Sequence, residues 1–505
     1  MRCSVLDLGS NSFHVLVADL DGRIVSPVLR QREMLHLGRV VAQHGVVPDA
    51  ERQRAVTTVA HFAELARRSG AEETIAVATA ALREATNGPE VIADLAAAAR
   101  IDVRLLDGQQ EARLAHLGVR ASVAVGREPI LVLDLGGGSL ELAIGDGRTA
   151  AWAASTRLGI SRLSASVDHD PLKKRDAKAL RRQVDAELEP HLDEIHRQLP
   201  GTVVAVGGTV RALARIVAAK GAAWRPATIN QLQVSSSQLR ELRDELLELD
   251  LTGRLAVPAM KPGRADHLHI AAVVLCRTLK RLGITSITIS DWGLREGLLL
   301  DAHGQDAPAD ARQLRCGEIR RLRQIFVPED QHPLHVARLA LQLFDGTREL
   351  HRLGDDDRDL LDHAARIHTI GEALALRRQH LHGAYLLENA ELRGFSPTEI
   401  AMLTTLVRFH PSRGIDPAFP AYASLSRIDR RRTRRLLALL HLADGLDRAR
   451  DQAVTDVRVL PTTAGVRLVL QGGGLHVSPT ELERRVRLFA TEFAAEVTIH
   501  DEAAG

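Results

Sequence analysis

Short apolar runs alternate with amphipathic stretches of helical period through the first 300 residues. Val5-Leu6-Asp7-Leu8 ends in Gly9-Ser10-Asn11-Ser12, and the next apolar run, FHVLVADL, ends at Asp21-Gly22. The same string returns as Val132-Leu133-Asp134-Leu135, then Gly136-Gly137-Gly138-Ser139, then LELAIG and Asp146-Gly147. Two apolar runs joined by a Gly/Ser turn and followed by Asp-Gly predict a β-meander, so the chain carries one meander twice. Helices are expected over 51–69, 90–99, 178–198, 237–247 and 267–282. Strands are expected over 74–79, 102–106, 202–206 and 286–290. Such alternation predicts an α/β fold of two similar lobes facing each other, residues 1–125 and 126–301, each a sheet covered by helices.

A linker over 302–309 follows, and the pattern then turns almost wholly helical from about Arg312 to Arg450. The tail differs again. Residues 454–460 and 466–470 read as strands around a turn, Ser478 or Thr480 could cap a helix through Thr491, and 495–500 reads as a strand. The expected domains are therefore 310–452, all-α, and 453–505, a small α+β unit.

Composition narrows the function. Hydrophobic residues make up 45% and charged residues 26%, the profile of a globular chain. Aromatics are only 3%, too few for a protein that stacks nucleobases as its main task, so no nucleic-acid partner is expected. The 66 basic and 64 acidic residues nearly cancel, so any basic surface is local. Cys3, Cys276 and Cys316 are far apart, show no metal-ligand spacing and suit buried thiols in a reducing compartment. No signal peptide or apolar span is read, which predicts a cytoplasmic location without a membrane partner.

Four places carry candidate chemistry. In Asp134 to Ser139, glycines let backbone N–H groups converge on an oxyanion, Ser139 adds a hydroxyl, and Asp134 with Glu141 offers hard oxygen ligands for a phosphate-bound Mg²⁺. One such turn alone could be a tight hairpin with solvated acids; the second copy at 7–12 favours opposed phosphate loops. Glu111 stands where the strand 103–106 passes into a helix, placed to deprotonate a water or simply to complement the helix dipole. Arg83 emerges from a strand end as a phosphate ligand or a salt-bridge partner. Gly207-Gly208-Thr209 opens a helix that Thr209 could cap while an anion docks on its N-terminus, or forms a plain turn.

Asp7 to Ser12, Leu82-Arg83-Glu84-Ala85, Glu111-Ala112-Arg113, Asp134 to Ser139 with Glu141, Gly207 to Thr209 and Gly293-Leu294-Arg295-Glu296-Gly297 occur in that order. Together they resemble the Ppx/GppA family, exopolyphosphatases and guanosine pentaphosphate phosphohydrolases of the actin-like superfamily. The resemblance implies two actin-like (ASKHA, ribonuclease H-like) lobes over about residues 1–300. It implies Glu111 as catalytic base and Asp134 and Glu141 as Mg²⁺ ligands, with another divalent or a monovalent cation as alternatives. It also implies that Asn11, Ser12, Arg83, Gly136, Gly137, Gly138, Ser139, Gly207, Gly208 and Thr209 bind phosphates. Leu140 stands where Thr is common. The expected activity is removal of terminal orthophosphate from inorganic polyphosphate by a homodimer. The rivals are pppGpp 5′-phosphohydrolysis, an actin-like sugar kinase, and a non-catalytic polyphosphate or nucleotide sensor.

The helical region resembles the HD-like third domain of the longer members through His382 to Tyr385, Arg408-Phe409-His410 and Leu442 to Asp447. An HD site needs adjacent His and Asp ligands; this chain reads His368-Thr369, so a working HD metal site is not expected. His335, His368, His380, His382 and His410 form the alternative His cluster. Two Arg runs, at 312–323 and 427–435, read as solvated helix faces or as a track for a long polyanion.

Overall fold

The structure, a computed structural model, describes every residue except 23, 127, 147, 148, 168, 199, 222, 223, 309, 328 and 502–505. Gly147 of the second Asp-Gly pair and Ala309 of the linker therefore lie outside the described residues. The chain forms two compact units, Met1–Gly221 with Ile229–Leu314, and Ala222–Thr228 with Arg315–Gly505.

The first unit holds two sheets built on one plan. Strands β1 (Arg2–Leu8), β2 (Ser12–Asp21) and β3 (Ile24–Met34) form an antiparallel meander, and β4 (Glu73–Ala78) and β5 (Val103–Leu105) extend it in parallel, in the order β3-β2-β1-β4-β5. Strands β6 (Ile130–Leu135), β7 (Leu140–Gly145) and β8 (Ala150–Thr156) repeat the meander. Strands β9 (Thr202–Val206) and β11 (Ser286–Ile289) repeat the parallel pair, and β10 (Gln233–Ser235) adds an antiparallel edge. The duplicated apolar strings become β1 and β6, the central strands of their sheets. Both are buried along most of their length, β1 from Cys3 to Leu6 and β6 from Ile130 to Leu133.

Helices fill both faces. Helix Asp49–Arg68 lays Val59, Phe62 and Ala63 against the first sheet, and helix Leu268–Arg281 buries eleven residues, Ile270 and Val274 among them, against the second. The stretch read as one helix over 178–198 is broken into Lys174–Leu188, a 3₁₀ turn at Glu189–His191, and Leu192–Gln198. Pro190 explains the break, since it removes an N–H and clashes with the preceding turn. Helices Gly108–Arg120 and Leu294–Ala302 cross at glycines: a Cβ on Gly118 would lie 2.0 Å from the Gly293 carbonyl oxygen, and one on Gly297 1.8 Å from that of Leu114.

The second unit is a helical bundle to which the tail contributes β12 (Val454–Pro461), β13 (Gly465–Gly472) and β14 (Glu496–Asp501) and the helix Pro479–Phe493, capped by Ser478. The tail does not fold apart. Val457, Leu468, Leu470 and Phe489 share one core with Leu339, Phe344, Leu403 and Leu440 of the helices.

Candidate active site

The carboxyl ends of the central strands open into one cleft of the first unit, where α/β sheets place ligands. Asn11, Ser12, Glu111, Asp134, Gly136 to Ser139, Glu141, Gly207, Gly208 and Thr209 all line it. Arg83 does not line the cleft; it supports Glu111 from behind, donating from Nη1 to Glu111 Oε1 at 2.5 Å and to the Leu106 carbonyl at 2.6 Å.

Pairing across the β6–β7 hairpin sets Asp134 directly opposite Glu141, and directly opposed residues share a face. The β1–β2 hairpin repeats this with Asp7 opposite His14. Two carboxylates thus come from one hairpin, and a carboxylate with an imidazole from its copy. Glu111 rises to meet them because Asp107 caps its helix: Gln110 N–H donates to Asp107 Oδ1 at 2.8 Å, and the Gln110 side chain accepts the Asp107 N–H. The helix starts at Gly108, which leaves Glu111 at the end of the first turn.

Four acids crowd the floor, and none titrates normally. Burial pushes Asp7 and Asp134 up to about 6, with Arg295 and Arg211 respectively pulling the other way. Burial raises Glu111 to about 7 against the Arg83 hydrogen bond and charge. Glu141, buried beside Glu111 and Asp134, is held well above the carboxylate range although Ser155 Oγ donates to it at 2.9 Å. Mutually repelling buried carboxylates are a donor set for a hard divalent cation, so these residues fit Mg²⁺.

The walls supply donors. Arg295 donates to His14 Nδ1 at 3.0 Å, so the His14 proton sits on Nε2 and goes to Ser12 Oγ at 2.8 Å. Burial and nearby arginines hold His14 well below its usual value, which keeps this tautomer neutral. Ser12 therefore accepts from His14 and keeps its own proton for an anion. Thr209 repeats the arrangement, accepting from Arg264 Nη1 at 3.2 Å. It does not cap its helix, which begins at Gly208 and leaves Thr209 in the first turn. In the glycine loop, Gly136 N–H closes on the Ser139 carbonyl at 3.0 Å and is not free for a ligand. Gly138 lies so close to Ser10 and Ala80 that a Cβ would sit 2.5 Å from Ser10 Oγ. Gly207 has φ +101°, and a Cβ there would lie 2.8 Å from Asp134 Oδ1.

Sequence reasoning missed the cations of the cleft. Arg32 from β3, Arg211 from the helix after β9, and Arg264 line it. Burial and the charges of Arg32, Arg211 and Arg215 lower Arg264 to about 10, a crowding that an anion relieves. Nothing local marks these residues, which lie far apart in sequence. Arg295 was visible only as part of its motif; of the flanking glycines, Gly297 lets two helices touch, whereas a Cβ on Gly293 would lie 2.9 Å from Val206 Cγ2.

The Arg runs behave differently. Arg432 pairs with Asp357 and Asp429, Arg434 with Glu492, Arg435 with the His351 carbonyl, and Arg430 with the Tyr422 carbonyl. Arg315 binds Glu399 and the Gly394 carbonyl, and Arg321 binds Glu318. These are anchors of the second unit's own packing. The expected His cluster also regroups. His335 turns to the Val454 carbonyl, and His380 and His382 do not join, whereas His368 meets His332 and Asp444, with the His410 ring edge-on to it. Of the cysteines, Cys3 and Cys276 are buried but Cys316 is exposed, and Cys3 lies with Glu73 and His303 despite their separation in sequence. Among the described residues no helix is long and apolar enough to cross a membrane.

Comparison with known proteins gives a consistent answer. The Ppx/GppA phosphatase family model matches residues 16–305, and that of Ppx/GppA phosphatase, domain III, matches 314–494. An uncharacterized Streptomyces coelicolor protein is 34% identical over 61% of this chain and 92% of its own. Exopolyphosphatase 1 of Mycobacterium tuberculosis is 32% identical over 62% of this chain and 91% of its own. Among solved structures, an exopolyphosphatase from Cytophaga hutchinsonii is similar at TM-score 0.56 and 27% identity, over 60% of this chain and 99% of its own. The Aquifex aeolicus Ppx/GppA family member is similar at TM-score 0.53 and 25% identity, over 60% and 97%. With a family model matching residues 16–305, more than half of the chain, the chain belongs to the Ppx/GppA phosphatase family.

Proposed function

We propose that this protein is a Mg²⁺-dependent exopolyphosphatase of the cytoplasm, removing terminal orthophosphate from inorganic polyphosphate. The observation that carries the reading is Glu111, a buried carboxylate raised to about 7 and fixed by Arg83 in a cleft walled by phosphate donors. A base with that proton affinity is part ionised at neutral pH and can still hold the proton it takes. Glu111 accepts a proton from water as the oxygen attacks the terminal phosphorus; the bond from that phosphorus to the bridging oxygen breaks, and the shortened chain leaves with the electron pair. Ser12 and Thr209 turn hydroxyl protons toward phosphate oxygens, while Arg211 and Arg264 hold the following phosphates and orient the bond for in-line attack. Asp134 and Glu141 would hold Mg²⁺, which when bound offsets the charge gathering on the phosphate oxygens.

The closest rival is hydrolysis of pppGpp, which needs the same chemistry on a nucleotide. Among the described residues no Phe, Tyr or Trp lines the cleft to stack a guanine, whereas a row of guanidiniums suits a uniform polyanion. Phosphate release from polyphosphate and pppGpp, measured side by side at equal phosphoanhydride concentration, decides between them. A higher kcat/KM for polyphosphate supports the proposal. A higher value for pppGpp overturns it, and release from neither with Mg²⁺ present returns the chain to a sensor.

A further inference from the structure

We propose that the core of the second unit contains a binding site for one divalent transition-metal ion, Zn²⁺ by the geometry of its donors, made by His332, His368 and Asp444. His332 Nε2 and His368 Nε2 are 3.3 Å apart, His332 Nε2 and Asp444 Oδ1 3.4 Å, and His368 Nε2 and Asp444 Oδ1 3.5 Å. The same three atoms therefore form a nearly equilateral triangle. Ligand atoms about 2.0–2.1 Å from a zinc ion and separated by the tetrahedral angle lie about 3.3–3.4 Å from one another, which is the size of this triangle. Imidazole nitrogen with one carboxylate oxygen is a donor set that Zn²⁺ accepts and Mg²⁺ does not favour.

The surroundings orient the three donors inward. His332 Nδ1 faces Asp447 Oδ2 at 2.8 Å, and His368 Nδ1 faces the Ala365 carbonyl at 2.6 Å. Each Nδ1–H has its acceptor, so each Nε2 is turned to the centre of the triangle. A carboxylate or carbonyl on the far nitrogen is how metal-bound histidines are held. Asp447 is fixed in turn by the Gln452 N–H at 2.8 Å. Asp444 is divided the same way: Oδ2 takes Arg485 Nη1 at 2.8 Å and Oδ1 is left for the triangle. All three side chains are buried, His368 at 0% exposure, and Thr369 Oγ1 beside it is buried with no hydrogen-bond partner. Thr369 follows His368 in place of a carboxylate, and Asp444 brings one from another helix. With three protein ligands, a tetrahedral ion keeps a fourth position for water or an added oxygen ligand.

The competing arrangement needs no metal: His332 carries both protons and bridges Asp444 and Asp447 as an imidazolium. Full-length protein stripped with a chelator, then supplied with Zn²⁺ in a large excess of Mg²⁺ to fill the carboxylate cleft, separates the two. The proposal expects one zinc retained per chain after gel filtration. It also expects an anomalous-scattering peak at the zinc edge between the two Nε2 atoms and Asp444 Oδ1. His368→Gln should weaken retention at least about 100-fold, and Asp447→Asn, which frees the His332 ring, about 10- to 100-fold. Zinc absent from the wild-type protein, a peak only in the carboxylate cleft, or unchanged retention in His368→Gln would overturn it. Should the variants fail to fold, the wild-type anomalous map alone decides.

Discussion

Replacing Arg83 by Met removes the guanidinium that donates to Glu111 at 2.5 Å and keeps a side chain of similar length. Glu111 is already raised to about 7 by burial, with Asp7 and Asp134 pushing the same way and Arg83 opposing them. An adjacent opposite charge lowers a carboxylate by about 1–3 pKa units, each unit being about 1.36 kcal/mol. Its loss should carry Glu111 to about 8–10. The base must be ionised, so a raised pKa moves the acid limb of kcat/KM to higher pH. At pH 7 the ionised fraction falls from about one half to about 0.1–0.001, a loss of roughly 5- to 500-fold that alkaline pH restores. A bound cation lowers Glu111 in both proteins, so the difference between the two profiles is the readout, taken at saturating Mg²⁺. The assay is kcat/KM for phosphate release from polyphosphate across about pH 6 to 10. An acid limb within roughly 0.3 units of wild type, with activity lost equally at every pH, would refute the reasoning and leave Arg83 as a substrate ligand.

Further outcomes follow from the same geometry. Asp134→Ala and Glu141→Ala should each raise the Mg²⁺ concentration for half-maximal activity by about tenfold or more, and a Mg²⁺ titration that matches wild type in both contradicts the metal assignment. Gly297→Ala sets a Cβ 1.8 Å from a backbone oxygen and should destabilise the two-lobe unit by about 3 kcal/mol or more; a urea midpoint within error of wild type speaks against the crossing. Arg432→Glu faces Asp357 and Asp429 with a like charge and should lower stability while leaving KM independent of polyphosphate chain length. A KM that rises with chain length in this variant restores the polyanion track.

The duplicated lobes were legible because short apolar runs and the glycines between them are local signals, and the string Val-Leu-Asp-Leu-Gly recurs at Val5 and Val132. Asp134 and Glu141 could be read for the same reason, since one hairpin places both. Arg32, Arg211 and Arg264 could not, because they meet only when separate strands and helices converge. The run Arg427 to Arg435 looked like one feature, but most of its side chains serve partners on other elements, and a helix face disperses what a sequence lines up. His332 was not legible and Asp444 was visible only as part of its motif, because the sequence shows Thr369 next to His368 while the carboxylate arrives through space.

The most direct test is Glu111→Gln, which keeps size and polarity and removes the base. Phosphate release under single-turnover conditions should fall by about 10²–10⁴ while equilibrium binding of polyphosphate holds within a few-fold. Turnover near wild type would contradict Glu111 as the base and with it the mechanism proposed for the cleft.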